Sequence, residues 1–145
     1  MAYAQFTVSI NRPVNEVYDF ILNGENNKFW RPSVIEVKKE TDESVAVGTK
    51  FIQSMKGPFG KKISGDYEIT GCETNNNIAF KVVSGPARPS GNYDFNDEGT
   101  STKVTFTLSL TPTGIARLMD PMINKQMQLE VANLSNMKTY LEKQH

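Results

Sequence analysis

The side chains of this sequence that could carry chemistry include two tyrosines and an amide. Tyr67 and Tyr93 fall at positions that face inward in predicted strands, where apolar and polar residues alternate. Gln53 lies on the same strand face as Phe51 and Met55. A phenol in an apolar interior needs a hydrogen-bond partner, so both tyrosines could orient a polar guest atom or act as general acids. The alternative is that they fill a core. Burying the Gln53 amide unpaired would cost on the order of 1–3 kcal/mol, so Gln53 either anchors a guest or lies at a strand edge near solvent.

Other chemistries lack the residues that they need. The single histidine is His145, the last residue, where a frayed terminus cannot hold a general base in place. One histidine cannot build a usual zinc site, and Cys72 is predicted to be a buried, inert thiol. The motifs of metal hydrolases, serine esterases and nucleotide-binding loops do not occur, and residues 57–62 indicate a hairpin turn. We expect no metal and no nucleotide cofactor.

Length and composition indicate one globular domain over residues 1–145. Lys plus Arg and Asp plus Glu number 16 each, so the chain lacks the charge of a dedicated nucleic-acid binder. A single cysteine makes a reducing compartment the default. No stretch resembles a secretory signal or approaches the apolar length of a membrane helix. We expect a cytoplasmic protein without nucleic-acid partners or integral membrane association. Whether it forms a homodimer is left open by the sequence.

Hydrophobic periodicity predicts a strand, two short helices, six further strands and a long final helix. Alternation with period two indicates strands, and apolar residues three and four apart indicate helices. Pro13 opens the first short helix, Asn23-Gly24 closes it, and Pro32 ends the second. The predicted strands cover residues 5–10, 34–40, 48–56, 61–72, 78–82, 93–95 and 104–110, and the second and third helices cover residues 25–30 and 114–144.

Polar residues fall within the apolar stripe of the final helix. A projection of about 100° per residue places Gln126, Glu130 and Asn133 on the same stripe as Met119 and Met122. Either these polar residues face the interior as anchors, or a kink at the helix proline rotates them outward. Both alternatives are open for Gln126. Exposure is favoured for Glu130, because an unpaired buried carboxylate is costly.

An internal, mostly apolar cavity is predicted, since a long helix fills only part of a concave sheet. Met119 and Met122 are either core filler or cavity lining. Trp30 either lines the cavity or plugs the space between helix and sheet. The Gly- and Pro-rich loops around Phe59 and Arg88 are predicted to form the rim, where Arg88 is either solvated or paired with a guest carboxylate. The predicted lining residues are Trp30, Phe51, Gln53, Tyr67, Phe80, Tyr93, Phe106, Met119, Met122 and Gln126.

Five stretches carry a resemblance to a known superfamily. They are INRPVNEVYDF at 10–20, NKFWRPSV at 27–34, VGTKF at 47–51, GTSTKVTF at 99–106 and VANLSNMKTYLE at 131–142. With the order of elements they resemble the START-like helix-grip superfamily, in particular its polyketide cyclase/dehydrase (SRPBCC) branch. The resemblance implies an α+β helix-grip fold, in which a seven-stranded curved antiparallel sheet wraps around a long C-terminal helix and two short helices follow the first strand. It also implies an internal apolar pocket.

Three classes of function follow, in order of preference. The first is binding of a small hydrophobic or aromatic molecule, since the superfamily includes lipid carriers and other binders. The second is a cyclase-like enzyme for aldol cyclisation or dehydration, which needs an acid or base with a shifted pKa. The sequence offers no clear catalytic residue of that kind. The third is a co-chaperone-like interaction module, which the polar outward residues Ser64, Asp66 and Glu68 disfavour.

Overall fold

A curved antiparallel sheet with helices against it makes up the fold. The computed structural model describes residues 2–57, 60–85, 87–110 and 120–143. The strands are β1 (Ala2–Ile10), β2 (Val34–Lys39), β3 (Lys50–Lys56), β4 (Lys62–Ser64), β5 (Tyr67–Glu73), β6 (Asn77–Val82), β7 (Ser90–Asp97) and β8 (Thr102–Leu110). The helices are α1 (Val14–Leu22), a 3₁₀-helix (Gly24–Phe29), α2 (Asp120–Ala132) and α3 (Leu134–Glu142).

Seven strands lie side by side in the order β1-β8-β7-β6-β5-β3-β2, and neighbouring strands are antiparallel. The short β4 lies off this path and pairs with β3. This architecture confirms the predicted α+β fold, with its seven-stranded curved sheet and C-terminal helix. Because β1 and β2 stand at the two ends of the order, the first two strands of the chain are the two edges of the sheet.

One face of the sheet is buried, following the period of two in the sequence. In β8 the inward residues Phe106 and Leu108 are buried, while Thr105 and Thr107, which alternate with them, are more exposed. β1 is in register with β8 along its whole length, beginning with Ala2 opposite Leu110. Since alternate residues of a strand point to opposite faces, this register places inward side chains of neighbouring strands next to each other.

The strand predicted over residues 61–72 is divided into β4 and β5. Between them, the backbone amide of Gly65 donates to the backbone carbonyl of Gln53 at 2.8 Å. The backbone amide of Gln53 donates to the Asp66 carboxylate at 2.9 Å. A Cβ on Gly65 would lie 2.6 Å from the Met55 sulfur, so a glycine permits this close approach. The Asp66 side chain therefore accepts the hydrogen bond that a backbone carbonyl of a paired strand would otherwise accept. The strand is interrupted at this point.

The described part of the C-terminal helix consists of α2 and α3, which meet at Asn133. The Asn133 amide donates to the Glu130 carbonyl at 3.2 Å, a tighter turn than the α-helical one. The interruption that is described lies at Asn133, and a kink at Pro121 stays an alternative, because residues 111–119 lie outside the described residues. The predictions that fall on Gly114, Met119, Phe59 and His145 lie outside the described residues.

The final helices lie along β1, one of the two edge strands. The Tyr3 amide donates to the Asn124 side-chain oxygen at 3.3 Å, and the Gln128 side-chain amide donates to the Tyr3 carbonyl at 3.3 Å. In α3, the Lys138 ammonium donates to the Ser9 carbonyl at 2.6 Å. These contacts cover backbone groups of β1 that could otherwise pair with another chain.

We expect Gly91→Ala to destabilise the protein by about 1–3 kcal/mol, because the new Cβ would overlap the ring of Phe80, which packs directly on Gly91. Gly71→Ala is the matched control, since a Cβ there would lie 3.6 Å from the Ala79 Cβ, an ordinary contact. Denaturant unfolding of the two variants measures the difference. Equal losses of stability would contradict the close packing of Phe80 on Gly91.

Candidate functional site

Six buried aromatic side chains form one continuous cluster inside the sheet. Trp30 comes from the segment before β2, and the others come one each from β3, β5, β6, β7 and β8. The ring centroids are 5.0 Å apart for Phe51–Tyr67, 5.4 Å for Tyr67–Phe80, 5.9 Å for Phe80–Tyr93, 4.4 Å for Tyr93–Phe106 and 6.1 Å for Trp30–Phe106. The structure thus brings together all six aromatic residues that the sequence predicts as pocket lining. That they border a cavity stays a prediction.

Strand register is the reason why these rings meet. Phe51 lies opposite Tyr67, and Tyr93 lies opposite Phe106, so each pair stacks across neighbouring strands. Phe80 lies opposite Gly91, whose missing side chain leaves room for the phenyl ring. A one-residue slip of any strand would turn its ring to the outer face. The cluster is therefore a direct product of the sheet.

A buried polar network borders the cluster at Tyr67. The Asn27 side-chain amide donates to the Gln53 side-chain oxygen and to the Tyr67 hydroxyl, each at 3.1 Å. Gln53 also donates to the Gly65 carbonyl at 3.4 Å. Gln53 is therefore buried and bonded to protein, and its strand-edge alternative is wrong. Sequence reasoning missed Asn27, because it lies in a run of polar residues whose composition does not distinguish it.

A buried ion pair joins α2 to the segment before β2. The Arg31 guanidinium donates twice to one oxygen of Glu130 at 3.3 Å, and the Ser33 hydroxyl donates to the other oxygen at 2.6 Å. Arg31 and Glu130 are each 8% exposed, so the predicted exposure of Glu130 is wrong. Three donors compensate the burial of its carboxylate. Sequence reasoning missed Arg31 and Ser33, although both lie in the stretch at 27–34.

The charge of Arg31 also reaches the aromatic cluster. Its guanidinium carbon lies 5.8 Å from the centroid of the Trp30 ring, in cation–π contact. Burial lowers the pKa of Arg31 and is the largest single influence, but the Glu130 carboxylate together with Tyr93 and Tyr67 raises it more, so the pKa lies above its ordinary value. Arg31 is therefore a permanent cation beside the rings, and Glu130 balances it.

Both tyrosines of the cluster stay protonated at neutral pH. Burial raises the pKa of Tyr67 and that of Tyr93 well above the ordinary value, and the nearby Arg31 charge offsets only part of the increase. Protonated phenols donate hydrogen bonds and are not bases. A group whose pKa is so far above the working pH is also a weak general acid. These environments suit recognition of a guest better than proton transfer.

Two donors in the cluster have no hydrogen-bond partner within the described part of the chain. The indole N–H of Trp30 is buried without a partner, and the hydroxyl of Tyr93, a side chain that is 4% exposed, makes no hydrogen bond to these residues. Leaving a buried donor unpaired costs about 1–3 kcal/mol. Trp30 and Tyr93 are edge-to-face neighbours with ring centroids 6.5 Å apart. An acceptor atom of a guest could therefore satisfy donors on adjoining rings.

Met122 and Gln126 do not face the interior, which corrects their prediction as pocket lining. Met122 is 59% exposed, and Gln126 is also exposed. The buried face of the helix runs instead through Met127, Val131 and Leu134. The phase of the helix therefore differs from the predicted stripe, because only part of α2 contacts the sheet.

The remaining predicted positions lie at the surface or outside the described residues. Arg88 is exposed, and its guanidinium donates to the Gly85 carbonyl at 3.3 Å, which matches its solvated alternative. Asn133 is half-buried at the junction of α2 and α3. Phe59 and Met119 are not described. Of the two residues predicted to form the rim, Arg88 is described and Phe59 is not.

An open groove of about 230 Å³ lies on the outer side of the ion pair. Glu130 borders this groove and also binds Arg31, whose guanidinium packs on Trp30. The ion pair therefore stands between the groove and the aromatic cluster. The residues that line the groove are Pro32, Ser33, Gln126, Leu129, Glu130 and Asn133.

The curved sheet, the final helices and the aromatic interior define a START-like helix-grip protein. Residues 1–142 match the model of the polyketide cyclase / dehydrase and lipid transport family, and this chain belongs to that family. Membership supports hydrophobic ligand binding or a cyclase-type role. Among curated proteins none matches the sequence.

Several solved structures share the fold over nearly the whole chain. A protein of Thermus thermophilus has a TM-score of 0.77 at 22% identity, and the match covers 94% of both chains. A START superfamily protein from Mycobacterium smegmatis has a TM-score of 0.78 at 12% identity, covering 100% of both. The Zhui aromatase/cyclase from a Streptomyces species has a TM-score of 0.76 at 12% identity, covering 97% of this chain and 93% of the other. At identities this low, the structural similarity shows the fold alone.

Within residues 2–57, 60–85, 87–110 and 120–143, no helix is both long and apolar enough to cross a membrane. Over the same residues, no three His, Cys, Asp or Glu side chains are grouped in a way that could hold a metal ion.

We expect Glu130→Leu to lower the free energy of unfolding by about 3–5 kcal/mol, because it leaves the Arg31 guanidinium buried without its partner. The double variant Arg31→Met, Glu130→Leu should recover most of that loss, since it removes both charges. Lys138→Met, in the more exposed Lys138–Glu142 pair, is the control and should cost less. Denaturant unfolding measures all three. If the double variant were as unstable as Glu130→Leu, the loss would not come from an unpaired buried Arg31, and the prediction would be contradicted.

We expect stability to fall above about pH 10, the ordinary pKa of tyrosine in an unfolded chain. Folding raises the pKa of Tyr67 and Tyr93, so their contribution is complete below that pH and is lost as pH rises towards the folded-state values. The fall should be shallower in the double variant Tyr67→Phe, Tyr93→Phe than in Tyr3→Phe, which alters an exposed tyrosine. Urea unfolding over a pH series measures both slopes. Equal slopes would contradict the prediction.

Proposed function

We propose that this protein binds a small apolar or aromatic molecule against the aromatic cluster, between the sheet and the C-terminal helix. One observation carries the proposal. Six aromatic rings form a continuous apolar cluster that includes one buried donor without a partner in the described structure, the indole N–H of Trp30, next to Tyr93. Ligand sites typically combine such an apolar lining with a few polar groups that orient the guest.

The electrostatics of the interior favour binding over catalysis. The cyclase alternative requires an interior acid or base near the working pH. The two phenols have strongly raised pKa values, and the one buried carboxylate described, that of Glu130, is engaged by Arg31 and Ser33. The cyclase alternative is therefore placed second. It would require Tyr67→Phe or Tyr93→Phe to abolish turnover while leaving affinity nearly intact.

We expect naphthalene, a purely apolar aromatic probe, to change the fluorescence of Trp30 with saturation. Trp30 is the single tryptophan and lies in the cluster, so its emission reports a guest at this site. Phe80→Leu should weaken binding a few-fold, because an aromatic contact contributes about 0.5–1.5 kcal/mol beyond its area. Met122→Lys is the control and should bind like the wild type, since Met122 faces solvent.

The opposite pattern would overturn the proposal. If Met122→Lys weakened binding and Phe80→Leu did not, the guest would lie on the outer face of α2. Native mass spectrometry of the purified protein is an independent measurement of whether an apolar molecule is retained.

A further inference from the structure

The unpartnered polar groups of the aromatic cluster are donors. The indole N–H of Trp30 is buried without a partner and can only donate, and the protonated hydroxyl of Tyr93 beside it, which makes no hydrogen bond to the described residues, can donate as well. Trp30 is 2% exposed and Tyr93 is 4% exposed, so bulk water does not satisfy them readily. Tyr67 differs in being held by protein already, because its hydroxyl oxygen accepts from Asn27, although its O–H can still donate. A guest with an acceptor oxygen matches the donors that remain.

The charges of the interior are already balanced. Arg31 and Glu130 are the buried charged side chains within the described residues, and they bind each other. A guest carboxylate next to Arg31 would meet the Glu130 carboxylate as well, and like charges at short range repel strongly in a poorly solvated interior. Arg31 cannot leave Glu130 for such a guest without leaving Glu130 buried with Ser33 as its remaining donor.

We propose that Glu130 restricts the site to neutral guests, and that Trp30 and Tyr93 bind an acceptor oxygen of the guest. The inference rests on the proposed function and adds the chemical class of the ligand, a neutral aromatic molecule with a carbonyl or ether oxygen. Glu130 is then a specificity-determining residue that acts by occupying Arg31.

Three probes with the same naphthalene ring test the inference by equilibrium dialysis against the full chain. 2-Acetylnaphthalene carries an acceptor oxygen, 2-ethylnaphthalene has nearly the same shape without one, and 2-naphthoate carries a charge. Each variant is judged by the ratio of its affinities for two probes. A ratio cancels the different hydration of the probes when variants are compared, and it cancels any unfolded fraction, which weakens both probes equally.

The ratio of ketone to ethyl affinity tests the donors. We expect it to fall about tenfold in Trp30→Phe and in Tyr93→Phe, the factor that corresponds to one hydrogen bond of about 1.4 kcal/mol. Tyr18→Phe is the matched control, because Tyr18 is a buried tyrosine that packs on Phe95 outside the cluster. Its ratio should equal that of the wild type. Unchanged ratios in both cluster variants would overturn the acceptor assignment.

The ratio of naphthoate to ketone affinity tests Glu130. We expect it to rise at least about tenfold in Glu130→Gln, because Arg31 is then free to bind the carboxylate. Glu142→Gln is the control, since Glu142 pairs with the exposed Lys138 at the surface. An unchanged ratio in Glu130→Gln would overturn the role of Glu130.

Failure of the inference is distinct from failure of the proposed function. If the probes bind the wild type and the ratios do not move, the site holds apolar guests but does not select them by charge or by an acceptor oxygen. If none of the three probes binds the wild type, the proposed function falls, and the inference falls with it.

Discussion

The buried pair of Arg31 and Glu130 is the interaction on which the arrangement of this protein depends. β1 and β2 are opposite edges of the sheet, α2 lies along β1, and Arg31 comes shortly before β2. The ion pair therefore connects the two edges through the helix. Desolvating two charges offsets much of their attraction, so such a pair contributes little net stability. Its larger effect is geometric, because the guanidinium and the carboxylate must meet for either to be buried.

The aromatic interior combines tight apolar packing with polar groups that the protein itself does not fully satisfy. Register stacks Phe51 on Tyr67 and Tyr93 on Phe106, and Gly91 leaves space for Phe80. Most cores built in this way contain few polar atoms. Here the indole N–H of Trp30 and the charged pair lie directly beside the rings.

Local patterns predicted the fold and the aromatic residues well, whereas long-range pairing could not be predicted. The alternation of apolar and polar residues within one strand predicts which aromatic side chains face inward, without information from the rest of the chain. Arg31 and Glu130 are 99 positions apart, and no local pattern shows that they meet. The errors at Met122 and Gln126 have a related cause, because the inward face of α2 depends on its contacts with β1. The strand predicted over residues 61–72 is interrupted because the Asp66 side chain accepts a hydrogen bond from the backbone amide of Gln53. This contact joins two different strand segments, so the local pattern does not show it.

The position of β1 has a consequence for the order in which this chain can fold. β1 begins at Ala2, pairs with β8, which ends at Leu110, and has α2 along it. During synthesis β1 must therefore wait until β8 and α2 have left the ribosome before its native neighbours exist. Pairing across such a sequence separation is slow, because a long loop must close first. Until then β1 presents unpaired backbone groups to other nascent chains, and the late arrival of the C-terminal helix ends that exposure.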